Sequence, residues 1–119
     1  MDAPPDETVA YKVLLGPEMA RLETEGRFAG APVDLADGYI HMSTAGQLDE
    51  TVRRHFAGKD DLHIVAVDLS VLGDALVWEE SRGGALFPHR YGVLVLASVI
   101  AYGPLERDED GSIRLPVAG

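Results

Sequence analysis

The order of apolar runs along the chain constrains its fold more than any other feature. Strand-like runs at Val9 to Leu15 and Tyr39 to Met42 are each followed by a helix pattern, whereas the later apolar runs have strand character. Two strand-then-helix pairs followed mainly by strands predict an α+β domain with a mixed, mostly antiparallel sheet and two main helices. This order does not favour a doubly wound parallel sheet, which would need helices throughout.

Both helices are predicted from the residues at their N-terminal ends. Pro suits the first helical position, so the first helix is predicted from Pro17 to Glu25. Thr44 and Gln47 have the spacing of a capping box, which predicts a second helix from Ala45 to Phe56. Ser43 and Thr44 are therefore expected at a helix N-terminus.

The second half of the chain is predicted to be mainly strand. Strands are expected at Leu62 to Leu69 and Ala75 to Trp78, and again at Val93 to Leu105 with a break near Ala97-Ser98. A turn at Asp108 to Gly111 predicts a short final hairpin. Segments rich in Gly, Pro and Asp, or irregular in pattern, are predicted as loops: 30–38 and 83–92.

The chain has the length and composition of one ordinary globular domain. Its 119 residues suffice for one core, and the hydrophobic content of 46% and charged content of 25% are typical of packed proteins. The domain is expected over 9–115, with a flexible N-terminal tail at 1–8 and a C-terminal tail at 116–119.

Charge and cysteine content narrow the expected location and partners. No apolar stretch approaches the length of a membrane span and the N-terminus does not resemble a signal peptide, so we expect a soluble, cytoplasmic protein. The absence of cysteine excludes disulfides and thiolate metal sites, and the spacing of the four histidines predicts no metal. A formal net charge of −10 disfavours long nucleic acid as a partner but not a small anion in a local pocket.

The first candidate site segment combines an imidazole with two hydroxyls at a helix start. His41 and Ser43 are two residues apart and point to the same side of an extended strand, while Thr44 adds a second hydroxyl. Free backbone amides at a helix N-terminus favour an anion. The alternative is structural: Ser43 or Thr44 caps the helix, and His41 packs against a neighbouring strand.

The second candidate segment lies between Arg82 and Tyr91. Arg82 can bind a phosphate or carboxylate with two hydrogen bonds, and Gly83 and Gly84 allow close approach of the backbone to a ligand. His89 can transfer a proton near neutral pH. The alternative is a β-bulge followed by an ordinary loop.

These segments resemble the bacterial domain-of-unknown-function family 952. The resemblance extends from about Tyr11 to Leu105 and is carried by Tyr11-Lys12-Val13-Leu14, Asp37 to Thr44, Gln47 and Gly83 to Gly92. That family is grouped by fold with ADP-ribosyltransferases, so the resemblance implies a single ADP-ribosyltransferase-like domain. Glu79 and Glu80 lie only in the neighbourhood of the glutamate that those transferases use.

A shorter likeness to RNA 2′-phosphotransferases is carried by Ile40-His41-Met42-Ser43, Val67-Asp68 and Gly83 to Leu86, in the same order as in those enzymes. Their first strand supplies a histidine, but here it reads Tyr11-Lys12. This departure puts their activity in doubt for this chain.

The sequence thus predicts a cleft that binds NAD or another small nucleotide-like or phosphorylated molecule, with catalysis left open. His41 and His89 are the candidate catalytic residues, His41 holding a ribose hydroxyl and His89 acting as acid or base. Lys12 and Arg82 would neutralise phosphate and Tyr91 would stack on a ring. The alternatives are a noncatalytic sensor or binding module and a histidine-dependent hydrolase of a small ester or phosphoester. The expected ligand-binding residues are Lys12, Ser43, Thr44, Arg82, Gly83, Gly84 and Tyr91.

Overall fold

The computed structural model describes residues 7–116, except for the side chain of Arg82, and shows an α+β domain with three small antiparallel sheets. The first sheet has the order β1-β4-β8 and contains β1 (Val9–Leu15), β4 (Leu62–Asp68) and β8 (Val99–Pro104). Its strands pair antiparallel throughout, with a register shift between Ala66 and Val67. No helix within the described residues is long and apolar enough to cross a membrane.

The other two sheets are shorter and complete the site. β2 (Arg27–Phe28) pairs with β7 (Leu94–Val95). The third sheet has the order β3-β6-β5 and contains β3 (Ile40–His41), β6 (Leu86–Arg90) and β5 (Leu76–Glu80).

The segment from Ile40 to Ser43 joins the first and third sheets. Within β3 and β6, His41 lies directly opposite His89. Two residues later, Ser43 exchanges backbone hydrogen bonds with Tyr11 of β1, at 2.7 and 2.8 Å. The backbone therefore brings Lys12, His41 and His89 into one region.

Residues 7–116 contain three α-helices, whereas the sequence predicted two main helices. α1 (Gly16–Glu25) and α3 (Ala45–His55) lie where they were predicted, and Gln47 Oε1 accepts a hydrogen bond from the Thr44 amide at 3.0 Å. α2 (Pro32–Asp37) occupies the segment predicted as a loop. The prediction was wrong there because Pro32 starts a helix as readily as a turn, and the Asp34 carboxylate accepts a hydrogen bond from the Ala31 amide at 2.8 Å.

The segment predicted as irregular also contains regular structure. Residues Leu86–Arg90 form β6 between β3 and β5, because their backbone groups find partners on both sides. Gln47 of α3 further fixes β6 by donating from Nε2 to the Leu86 carbonyl at 2.8 Å. The predicted break near Ala97-Ser98 is confirmed as a 3₁₀ turn at Leu96–Ser98.

Two hydrophobic clusters cover the two faces of β1. Leu14 packs in the larger cluster with Leu22 and Phe28, whereas its neighbour Val13 packs in the smaller one with Leu48. This alternation is the two-residue period of a strand that is buried on both faces. The smaller cluster is also contacted by partly buried residues of the C-terminal segment, namely Leu105, Ile113 and Leu115.

Candidate functional site

A cavity of about 580 Å³ lies between β1, α2, α3 and β6. Its walls are largely apolar, as in most pockets for small organic molecules. The apolar and aromatic residues that line it are Tyr11, Val13, Leu15, Ala31, Pro32, Val33, Met42, Phe56 and Phe87. The polar and charged residues that line it are Lys12, Glu18, Asp37, His41, Ser43, Thr51, His55, Lys59, Ser81 and His89.

The cavity brings together four of the residues that the sequence singled out. These are Lys12, His41, Ser43 and His89. The other described candidates do not line it: Thr44, Gly83, Gly84 and Tyr91. The predicted contact of the Arg82 side chain with a ligand lies outside the described part of the chain, since only the backbone of this residue is described.

Lys12 is buried and its charge is already balanced by a carboxylate. Its Nζ lies 3.1 Å from Oδ1 and 3.0 Å from Oδ2 of Asp34. Asp34 is itself 2% exposed. Burial raises the pKa of Asp34, but the hydrogen bond with His41 and the charge of Lys12 outweigh it and lower that pKa to about 2. A ligand phosphate at Lys12 would have to compete with this carboxylate.

His41 lies between two carboxylates. Its Nδ1 is 2.7 Å from Asp34 Oδ1, and its Nε2 is 2.9 Å from Asp37 Oδ2. The His41 backbone amide also donates to Asp34 Oδ1 at 3.0 Å. A carboxylate only accepts hydrogen bonds, so both contacts form together only when both ring nitrogens carry a proton. In this geometry His41 has no ring nitrogen left for a ligand.

His89 has one carboxylate partner and one ring nitrogen without a described partner. Its Nδ1 lies 2.7 Å from Glu79 Oε1, and the residue is 3% exposed. Burial is the main cause that lowers the pKa of His89, and the positive charge of nearby His41 adds to it, while the Glu79 hydrogen bond opposes them. The hydrogen bond with His89 is the main cause that lowers the pKa of Glu79.

The contact with the Glu79 carboxylate indicates the tautomer of His89. Near neutral pH Glu79 is an ionised acceptor and His89 is a neutral ring with a single N–H. That N–H is on Nδ1, where it donates to Glu79. Nε2 then carries a lone pair, and no described residue bonds to it. His89 can therefore accept a hydrogen bond or a proton from a molecule in the cavity.

Two tyrosines complete this cluster outside the cavity wall. Tyr91 donates its hydroxyl proton to Glu79, with oxygen–oxygen distances of 2.9 and 3.1 Å, and this hydrogen bond raises the pKa of Tyr91. The Tyr39 ring stacks on His89 with a centroid distance of 4.1 Å and an interplanar angle of 22°. Tyr91 therefore holds Glu79, and Tyr39 restrains the imidazole plane.

Ser43 and Thr44 make local structural contacts. Ser43 is buried, and its Oγ lies 2.8 Å from Thr51 Oγ1 on α3. Thr44 is the residue that precedes α3. Ser43 contributes polar surface to the cavity but forms no hydrogen bond with a described histidine.

Two basic side chains at the edge of the cavity were not identified as site residues from the sequence. Lys59 and His55 both line the cavity and are exposed to solvent. No carboxylate of the described chain forms an ion pair with Lys59. His55 is the last residue of α3, which ends at the cavity edge.

Three carboxylates of the site were also missed, although each left a signal. Asp34 lies three residues after Ala31, the spacing of a carboxylate that caps a helix. Asp37 precedes His41 by four residues. Glu79 lies diagonally across from His89 on the β5–β6 pair, because Val77 is the direct partner of His89. That diagonal could be found only after β6 had been recognised as a strand. Within the described residues no group of three or more His, Asp or Glu side chains has the arrangement of a metal site.

Comparison with known proteins places this arrangement in a family. The family model described as a protein of unknown function (DUF952) matches residues 14–102. The search of curated proteins finds no significant match.

Solved structures of one bacterial protein are similar over nearly the whole chain. The crystal structure of protein CC0527 from Caulobacter crescentus is 44% identical, with a TM-score of 0.82 over 91% of this chain and 95% of that one. The solution NMR structure of the same protein is 43% identical, with a TM-score of 0.76 over 90% and 91% of the two chains. The chain therefore belongs to the DUF952 family of proteins of unknown function.

Proposed function

We propose that the cavity binds a small nucleotide-like or otherwise phosphorylated molecule, with NAD as the first candidate. The observation that carries the proposal is the buried imidazole of His89, which lines a cavity of about 580 Å³ and has a ring nitrogen without a described partner. Cavities of about 300 to 1,000 Å³ hold small organic ligands. A ring nitrogen without a protein partner, on a residue that lines a cavity, is available to a ligand and supports binding over mere packing.

The remaining walls suit the parts of such a molecule. Phe56, Phe87 and Tyr11 offer apolar and aromatic surface for a base or another ring. Lys59 offers a charge for phosphate at the edge of the cavity.

The ADP-ribosyltransferase-like fold is part of the same proposal. It is supported by the order of the segments carrying Lys12, His41, Ser43 and His89, which meet at one cavity. Tyr91 has a different role from the stacking predicted for it, since its hydroxyl holds Glu79.

Catalysis, if the bound molecule reacts, centres on His89. With NAD as the ligand, a hydroxyl or water oxygen attacks the ribose carbon that carries nicotinamide and loses its proton to Nε2, while the bond to nicotinamide breaks and nicotinamide leaves. Glu79 stabilises the imidazolium that forms. A noncatalytic sensor would use the same contacts without turnover.

The Glu79–His89 pair also favours a second candidate, a hydrolase of a small ester or phosphoester. The nucleophile would be water, because the Ser43 hydroxyl is hydrogen-bonded to Thr51 and not to His89. In this reaction water loses a proton to Nε2 and its oxygen attacks the ester carbon or phosphorus. The proton then passes to the departing alcohol.

A two-stage assay tests these functions. A thermal-shift screen with NAD, ADP-ribose and AMP should raise the melting temperature of the wild type, since a ligand that binds only the folded state stabilises it. NAD is then assayed for nicotinamide release, and 4-nitrophenyl acetate and 4-nitrophenyl phosphate are assayed for hydrolysis. Binding without turnover identifies a sensor. Turnover by the wild type that is lost in His89→Gln identifies an enzyme. A screen in which no nucleotide or phosphoester binds at millimolar concentration would contradict the proposal.

A further inference from the structure

The cavity has two ends of different chemistry. At the inner end, His89 and Lys12 are 3% and 6% exposed. At the outer end, His55 and Lys59 are exposed to solvent. A ligand that occupies both ends meets buried groups with carboxylate partners on one side and an exposed charge on the other.

The inner end does not favour an anion. Lys12 is the only lysine there, and both oxygens of Asp34 bind its ammonium group. Asp37 and Glu79 add two further carboxylates beside His41 and His89. These carboxylates outnumber the two cations, Lys12 and His41, so an anionic group placed among them would be repelled.

The inner end instead offers a hydrogen-bond acceptor. The Nδ1–H of His89 donates to Glu79 at 2.7 Å, so its Nε2 accepts. Once a ligand covers this nitrogen, a ligand hydroxyl or N–H satisfies it, whereas an ether or a methyl group leaves it unpaired, which costs binding energy.

The outer end favours an anion. Lys59 has no ion-pair partner among the described residues and lines the cavity edge next to Phe56. An exposed lysine attracts an anion by a charge interaction that salt screens. Phosphate is therefore better placed at Lys59 than at Lys12.

We propose that the ligand is a ring-containing anion bound in one direction, with a hydroxyl or N–H donor directed to His89 and its phosphate at Lys59. This inference rests on the proposed function, because it concerns the same cavity. A nucleoside monophosphate with its base or ribose directed inward has this order of groups. A ligand with its phosphate at the inner end does not.

Three small probes test the direction without knowledge of the natural ligand. They are 4-hydroxyphenyl phosphate, 4-methoxyphenyl phosphate and hydroquinone, whose dissociation constants are measured by NMR titration of the labelled protein. The methoxy compound lacks the donor and should bind roughly three- to tenfold more weakly than the hydroxy compound, the range for one neutral hydrogen bond. Hydroquinone lacks the phosphate and should bind roughly three- to fivefold more weakly.

Three variants test which side chain causes the preference for phosphate and which causes the preference for hydroxyl. Lys59→Gln should abolish the preference for phosphate and leave the preference for hydroxyl, and about 0.5 M salt should weaken the phosphate preference in the wild type. Arg21→Gln is the matched control: it removes an exposed cation of α1 that lies outside the cavity and should change neither preference. His89→Gln should reduce the preference for hydroxyl. If His89→Gln fails to fold, the dissociation constants of the hydroxy and methoxy compounds for the wild type still test whether the ligand donates a hydrogen bond at the inner end.

The outcomes separate this inference from the function on which it rests. Equal binding of the hydroxy and methoxy compounds, or a phosphate preference that survives Lys59→Gln, overturns the proposed direction. If a nucleotide binds under either result, the proposed function stands. If the three probes bind with the expected order of affinities but no nucleotide binds, the nucleotide-like ligand is ruled out and the proposed binding direction stands. Absence of all binding overturns both.

Discussion

His41 and His89 face each other across one strand pair, yet they differ in the feature that decides function. Their ring centroids are 5.4 Å apart and each ring contacts a carboxylate. His41 has a carboxylate at both nitrogens, whereas His89 has one carboxylate and one nitrogen that faces no described partner. The number of carboxylates around each ring therefore distinguishes a residue that holds the fold from one that can act on a ligand.

The difference originates in the elements that carry the carboxylates. Asp34 and Asp37 belong to α2, which packs over His41 and places both carboxylates against one ring. Glu79 is on β5, next to the strand that carries His89, and it is shared with Tyr91. The carboxylates of α2 fix His41 as part of the cavity wall. The single carboxylate at His89 leaves one ring nitrogen available as an acceptor in the cavity.

The largest expected effect comes from removing the carboxylate at the centre of the His41 region. Asp34→Asn leaves the Lys12 charge buried without its partner, so the free energy of unfolding should fall by about 3 to 5 kcal/mol. Asp37→Asn is the matched control, because Asp37 is half exposed and contacts only the other side of the ring; it should cost less than about 1 kcal/mol. Denaturant unfolding at neutral pH measures both, and equal losses would contradict the account.

Acid should also weaken the region of His41, at a lower pH than the region of His89, whose pKa is lowered from an ordinary value of 6.5. The pKa of Asp34 is lowered to about 2 in the folded chain, so the unfolded state binds the proton first as the pH falls. The stability that Asp34 contributes is complete above about pH 4 and is lost toward pH 2, an amount of about 2 kcal/mol. Denaturant unfolding from pH 5 to pH 2 should show this loss in the wild type and not in Asp34→Asn. Parallel curves for the two proteins would exclude Asp34 as the cause.

A glycine beside α2 offers a smaller perturbation. Gly30 has φ of 137°, and a Cβ added there would lie 2.8 Å from the Asp34 Cβ. Gly30→Ala should therefore cost about 1 to 3 kcal/mol through backbone strain and displacement of Asp34. Gly46→Ala, in α3 with open space around it, should be neutral or slightly stabilising. A Gly30→Ala protein as stable as Gly46→Ala would show that α2 tolerates displacement.

The smallest expected effect lies in the region of His89. Tyr91→Phe removes a hydroxyl that donates to the exposed Glu79, so the stability should fall by less than about 1 kcal/mol. The pKa of Glu79 should rise, because the hydrogen bond of Tyr91 is one cause that lowers it. Carbon-13 NMR titration of the Glu79 carboxyl would check this, and an unchanged Glu79 titration would argue against the bond in solution.

The sequence could predict one of these two regions more fully than the other. Both histidines were identified because they lie in polar segments near glycines, and both helices that flank β1 were predicted from their capping residues. α2 was missed because Pro and Gly at the ends of a six-residue helix also suit a loop, so Asp34 and Asp37 were missed with it. Spacing cannot show that a carboxylate 22 residues from Lys12 neutralises it.

The role of Lys12 shows that a sequence pattern cannot reveal contacts between residues that are distant in the chain. A lysine inside an apolar strand suggests a phosphate site when its partner is unknown, but the structure places its ammonium group on Asp34. Glu79 was noticed only as a neighbour of a family position, because its contact with His89 depends on the register of β5 against β6. The register of a strand pair is predicted from the turn that joins the strands. The Gly83-Gly84 segment does not have the spacing of a standard two-residue hairpin, so this register could not be predicted.

The protonation state of His89 tests the central claim most directly. Long-range nitrogen-15 NMR of the imidazoles, recorded across pH, reports which ring nitrogen carries the proton. The account predicts that at pH 7 His89 is neutral, with its proton on Nδ1 and a lone pair on Nε2, and that its pKa lies below the ordinary value because the ring is buried. A proton on Nε2, or a doubly protonated His89 ring at pH 7, would contradict the claim that the cavity presents an acceptor to its ligand.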